Sequence, residues 1–140
     1  MTRFTQLTLG AAGLTAFGIG LAIATVPETF YAGYGIAIRT EPAALSELRA
    51  PGTNLAMLGA VILAGALRPA MARLSAALGT LVFLAFATGR LLSLTLDGWP
   101  GDSIATALAL ELGIGILCAF AWRSLGRRPA APGALALYPN

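Results

Sequence analysis

Four apolar stretches dominate the chain, each close to the length of a bilayer-spanning helix and each bounded by charged residues, proline or glycine. Residues 5–26 form one continuous apolar segment, about 33 Å long as a helix, enough to cross a bilayer's hydrocarbon core. The second span covers 44–67. Its apolar part, Gly52 to Leu67, extends backwards through Ala43–Ala50, and Pro51 is expected to bend it. Residues 71–96 and 103–122 make the third and fourth spans. The pattern predicts an all-α integral membrane four-helix bundle, a single transmembrane domain over 1–123, followed by a Pro-, Gly- and Ala-rich flexible tail over 124–140. No internal repeat relates the two halves.

Composition supports lipid as the solvent. Of 140 residues, 57% are hydrophobic and 11% charged, against roughly 25% charged in soluble domains. The net charge of +3 does not point to nucleic acid, because the arginines flank hydrophobic segments and have a topological explanation. There is no Lys and no His. Missing His removes the usual general base, transition-metal ligand and pH switch. Missing both excludes a Ser-His-Asp triad, a zinc-protease motif and a Schiff base. Cys118 is the only cysteine, so an intrachain disulfide and a cysteine metal cluster are excluded, and it reads as a small packing residue. No phosphate-binding loop or dinucleotide fingerprint is present, since Gly18-Ile19-Gly20 lies inside a span. No cofactor, metal or catalytic residue is expected.

Arginine placement orients the spans. Arg3, Arg68, Arg73, Arg123, Arg127 and Arg128 gather on one side with no acid among them. Glu28, Glu41, Glu47, Asp97 and Asp102 lie on the other, against Arg39 and Arg49. The positive-inside rule then puts both termini in the cytoplasm. Phe30, Tyr31, Tyr34 and Trp99 fall at the outer boundary, Phe4 and Trp122 at the inner one, the level aromatics favour. Residues 27–45 form the longest extramembrane segment, and Phe30–Ile38 is apolar enough to lie on the outer surface. A competing reading takes Arg3, the first apolar run and Ala22-Ile23-Ala24 as a cleaved signal peptide, although the run is long for one.

Two charges lie within the apolar stretches. A charged side chain in hydrocarbon costs on the order of 2.5–3.5 kcal/mol on insertion scales, so it usually faces a partner, cavity or substrate. The turn Asp97-Gly98-Trp99-Pro100-Gly101-Asp102 is tight, which makes the third and fourth spans antiparallel neighbours. Counted from that turn, Arg90 is about 11 Å deep and Glu111 about 14 Å, so their long side chains can meet. The hairpin at 68–70 places residues 47–50 level with 89–92. Glu47 and Arg49 are therefore expected at the height of Arg90, in a balanced outer-leaflet cluster that Asp97 caps, with Asn54 and Ser93 as secondary polar groups. Asp97 and Asp102 could also hold a hard cation, but turn acids at a membrane surface are usually solvated. Small residues recur at four-residue spacing in Gly52/Ala56/Ala60/Ala64, Ala85/Gly89/Ser93 and Ala107/Glu111/Gly115/Ala119. Such stripes suggest close helix packing, and Gly10, Gly13, Gly18 and Gly20 suggest either the same or an interface.

Ser46-Glu47-Leu48-Arg49-Ala50, Gly89-Arg90-Leu91-Leu92-Ser93, Asp97-Gly98 with Pro100, and Glu111 together resemble the pattern of the bacterial "domain of unknown function 4345" family. The similarity covers roughly residues 5–123 and implies a small four-span membrane protein without supplying an activity. It departs from the family pattern at Pro51-Gly52-Thr53, where an aromatic and paired glycines are expected, which leaves open the path of the second span after Arg49. Three functions stay open. The first is a non-enzymatic binding or accessory subunit, with the lipid bilayer and other membrane subunits or a homo-oligomer as partners. The second is a small-solute or proton-coupled transporter, and the third an enzyme acting on lipid or quinone. The charge cluster serves either as a structural lock on helix register or as the site.

Overall fold

In a computed structural model that describes residues 1–126, the chain is helical, with no strand among the described residues. Helix α1 spans Arg3–Thr25, a short α2 Pro27–Ala32, α3 Pro42–Leu67, α4 Ala72–Asp97 and α5 Asp102–Gly126. A 3-10 turn over Pro69–Met71 joins α3 to α4. The four long helices are each long and apolar enough to cross a membrane. The protein is a multi-pass membrane protein by that measure. Of the expected tail, Ser124–Gly126 continue α5, and residues 127–140 lie outside the described residues.

Local chemistry sets the helix ends. Thr2 caps α1, its hydroxyl oxygen accepting from the Thr5 amide at 3.2 Å. Proline opens both α2 and α3, where its missing N–H is no loss and its fixed φ suits the first turn. Asp102 lies in the first turn of α5 and Arg123 in the last, each favourable to the helix dipole. The α4–α5 turn needs Gly98 and Gly101, whose φ values of +91° and +92° a residue with a Cβ rarely adopts. Helix α3 continues unbroken through Pro51, so the departure from the family pattern leaves its path helical.

The helices pack unevenly along their length. Helix α1 lies directly on α3: a Cβ on Gly13 would stand 2.5 Å from the Leu63 nitrogen, and one on Gly59 would stand 2.7 Å from Phe17 Cα. Where lipid removes the hydrophobic drive between helices, such close backbone contact supplies dispersion energy instead. Gly65 packs on Ser75, whose hydroxyl donates to the Val61 carbonyl at 2.8 Å and ties α3 to α4. Gly79 meets Cys118 and Gly115 meets Leu84, joining α4 to α5. Leu9, Ile62, Ala76, Cys118 and Ala121 are fully or almost fully buried, so the four helices close into one core toward the end that carries Arg3, Arg68, Arg73 and Arg123. No α5 residue before Gly115 is buried. Towards α2 and the α4–α5 turn, the bundle opens.

The small-residue stripes divide accordingly. On α3, Gly52 and Ala56 are buried as expected, but Ala60 is exposed and Gly59 takes the contact. The spacing is that of a helix seam near 3.5 residues rather than a strict four. On α1, Gly13 and Gly20 meet α3, Gly10 barely reaches Ala66, and Gly18 faces open space.

Candidate functional site

The open end holds a cavity of about 950 Å³, lined mainly by apolar side chains of α1, α4 and α5, with Leu55 of α3 also in the lining. Arg90 and Glu111 stand in its wall. The turn between α4 and α5 brings their positions to one height, and both residues point inward. Arg90 Nε donates to both carboxylate oxygens of Glu111, at 2.9 Å to Oε1 and 2.8 Å to Oε2. This is the one ion pair among the described residues. The Glu111 side chain is 14% exposed and that of Arg90 28%. Glu111 is thus the more enclosed partner, and Arg90 keeps more accessible surface.

A cluster of aromatics lines this end. Pro27 is buried and starts α2, which carries Phe30 and Tyr31 into the cavity lining beside Tyr34. The Phe30 ring meets Tyr31 edge-on at 5.3 Å and Tyr34 at 5.4 Å. The Tyr31 carbonyl accepts from the amides of Tyr34 and Ile36, and Gly35 at φ +74° permits that reversal. Ile36 joins the cavity lining as a result. These aromatics lie just beyond the end of α1, as their sequence position suggested, and they also line the cavity. Their 30, 31, 34 spacing, one helical face behind a proline, was the available signal.

The expected cluster is only partly assembled. Arg90 and Glu111 meet. Glu47 and Arg49 do not join them: both are exposed, and Arg49 lines a separate surface cleft with Pro42, Ser46 and Thr53. Counting residues from a turn fixes height, whereas direction rotates about 100° per residue, and α3 turns its Gly52/Leu55/Ala56/Gly59 seam to α1. Asn54 is likewise exposed, facing away from the cavity. Asp97 is exposed and bonded from Ser93 Oγ at 2.8 Å, one turn along the same helix, instead of capping Arg90. Ser93 lines the cavity and Asp97 does not.

The stripe Ala85, Gly89 and Ser93 on α4 is the cavity wall, not a helix contact. A Cβ on Gly89 would meet nothing within 4 Å. On α5, Ala107 and Glu111 line the cavity and Gly115 packs. Three hydroxyl-bearing residues missed in the sequence, Thr15, Ser103 and Thr106, also belong to the lining, and the Thr106 hydroxyl donates to the Asp102 carbonyl at 2.8 Å. A largely apolar cleft with a few convergent polar groups is the usual form of a small-molecule site.

Comparison with curated proteins and with solved structures finds no match. The family profile described as Domain of unknown function (DUF4345) matches residues 4–122, as the charged and glycine motifs implied, and the chain belongs to that family.

Proposed function

We propose that the protein is a membrane-embedded binding protein that takes a lipid-like molecule into the cavity between α1, α4 and α5. One observation carries this reading: the enclosed ion pair lies in the wall of an apolar space of about 950 Å³, not at a helix–helix contact. A pair serving register alone would gain most by being packed on all sides, since bare lining forfeits dispersion contacts. Small residues at 85, 89 and 107 keep the space open. The arginines at the closed end favour a cytoplasmic position for it by the positive-inside rule, and this reading takes the cavity to lie in the outer leaflet of a bacterial inner membrane. The test is saturable binding of the methyl ester of 16-doxylstearate to the detergent-solubilised protein, read as an immobilised spin-label signal. A single equivalent per chain, abolished by Gly89→Leu, is the expected result. Unsaturable partitioning that ignores the substitution rejects the cavity as a site.

The accessory-subunit reading has its own support on the outer face of α3. Glu47, Ala50, Asn54 and Met57 share that face and are exposed, and Asn54 makes no side-chain hydrogen bond among the described residues. A lipid-facing amide pairs readily with another helix. Asn54→Leu then converts a larger species to monomer on detergent size analysis; an unchanged elution volume removes this reading.

A further inference from the structure

Resting on the cavity as a binding site, we infer that its ligand is an uncharged lipid bearing a carbonyl group, an ester or a quinone, whose oxygen accepts from the outer edge of the Arg90 guanidinium. The geometry of the pair leads there. An arginine has five N–H donors in a fixed plane. Here the single Nε hydrogen serves both oxygens of Glu111, and the two Nη groups make no hydrogen bond among the described residues. Those groups are not sealed away, because no buried side-chain nitrogen or oxygen among the described residues lacks a partner. Each Nη therefore keeps accessible surface, on a residue that lines the cavity.

Charge then selects among ligands. Glu111 already neutralises Arg90, so the wall is donor-rich yet electrically balanced. A carboxylate or phosphate would leave one uncompensated negative charge in a low-dielectric space, an arrangement that buried charges avoid. A cation would meet the Nη edge, while both carboxylate oxygens are already held by Nε. Among the described residues, Glu111 is the only acid lining the cavity. A neutral carbonyl satisfies the Nη donors without adding charge. Ser103, Tyr31 and Tyr34 line the same space and carry hydroxyls that can donate to a second oxygen. The apolar remainder of the lining suits a hydrocarbon tail or ring.

The experiment compares 16-doxylstearate with its methyl ester on the purified full chain, at about pH 9, where the free acid is ionised. The expected result is at least tenfold tighter binding of the ester. Displacement of the bound ester by monoolein or by decyl-benzoquinone tells an ester lipid from a quinone. In Glu111→Gln the Arg90 charge is no longer balanced, so the preference turns towards the acid by tenfold or more. If wild type prefers the acid, the neutral-ligand inference is overturned while the cavity reading stands. If neither probe saturates, the cavity reading falls and the inference with it. Should Glu111→Gln fail to fold, the wild-type comparison decides alone.

Discussion

Gly59 and Gly89 both sit deep within 26-residue helices, yet they do opposite work. At Gly59 the missing side chain lets the α1 backbone press against α3; at Gly89 it leaves a gap that nothing fills. The closed end of the bundle is built from contacts of the first kind, and the open end from absences of the second. The contrast teaches that a small residue in a membrane helix has two meanings, adhesion and vacancy, and that only its angular position on the helix separates them. Stability should therefore reside at the closed end and ligand selection at the open one.

The largest effect comes from breaking the closed end. Gly59→Val drives two methyl groups into the backbone at Phe17, and neither helix can shift without losing the Gly13 and Gly20 contacts. The destabilisation should exceed about 3 kcal/mol, as overpacking against backbone does in its severe cases. Detergent-solubilised protein should lose its monodisperse peak or melt far below wild type. A variant that melts normally would show that α1 and α3 can separate cheaply.

Next comes the ion pair, which belongs to the open end but spans α4 and α5. Arg90→Ala strands the Glu111 carboxylate in the cavity wall. Loss of a charged hydrogen bond costs about 1.5–3 kcal/mol, and the partial exposure of Arg90 pulls this towards the lower end. Chemical denaturation should show a clear loss that Arg90→Ala/Glu111→Leu partly restores, since removing both partners is kinder than leaving one. No rescue by the double variant would place the effect outside the pair.

The architecture was legible because apolar runs of bilayer length admit few alternatives in lipid, and because Asp97–Asp102 is too short to separate its two helices. The Arg90–Glu111 pair was legible for the same reason: a tight turn converts residue counting directly into matched height. That logic failed for Glu47 and Arg49, which the same counting matches in height but which belong to a helix whose seam faces α1. Nothing in the local pattern announced that α3 prefers α1 over α4 at this level, because the preference lies in the fit of Gly13, Gly20, Gly52 and Gly59 across two helices distant in sequence. The cavity was hidden for a similar reason. Ala85, Gly89 and Ser93 have the spacing of a packing seam, and emptiness has no sequence signature of its own.

A smaller effect separates the two ends without perturbing either. Cys118 is fully buried against Gly79 and should resist maleimide labelling until the protein unfolds, its labelling rate tracking the global melt. In a Cys118→Ala background, Gly89→Cys opens on the cavity and should react with a small apolar maleimide in the native state. Equal protection at both positions would mean that the open end is closed in solution.

The smallest change in stability should come with the largest change in binding. Gly89→Leu places a branched side chain where the added Cβ meets nothing, so no backbone needs to move. Replacing an interior helical glycine gains up to about 1 kcal/mol of helix propensity, which offsets any crowding of the neighbouring Phe86 or Leu110. The melting temperature should stay level or rise slightly, yet the saturable spin-label signal should vanish, because the new side chain occupies the space beside Arg90. The two readouts moving in opposite directions is what the division between a packed end and a vacant end requires. A variant that loses stability and binding together would instead mean that the space near Gly89 is held by packing the bundle depends on, and the distinction between Gly59 and Gly89 would collapse.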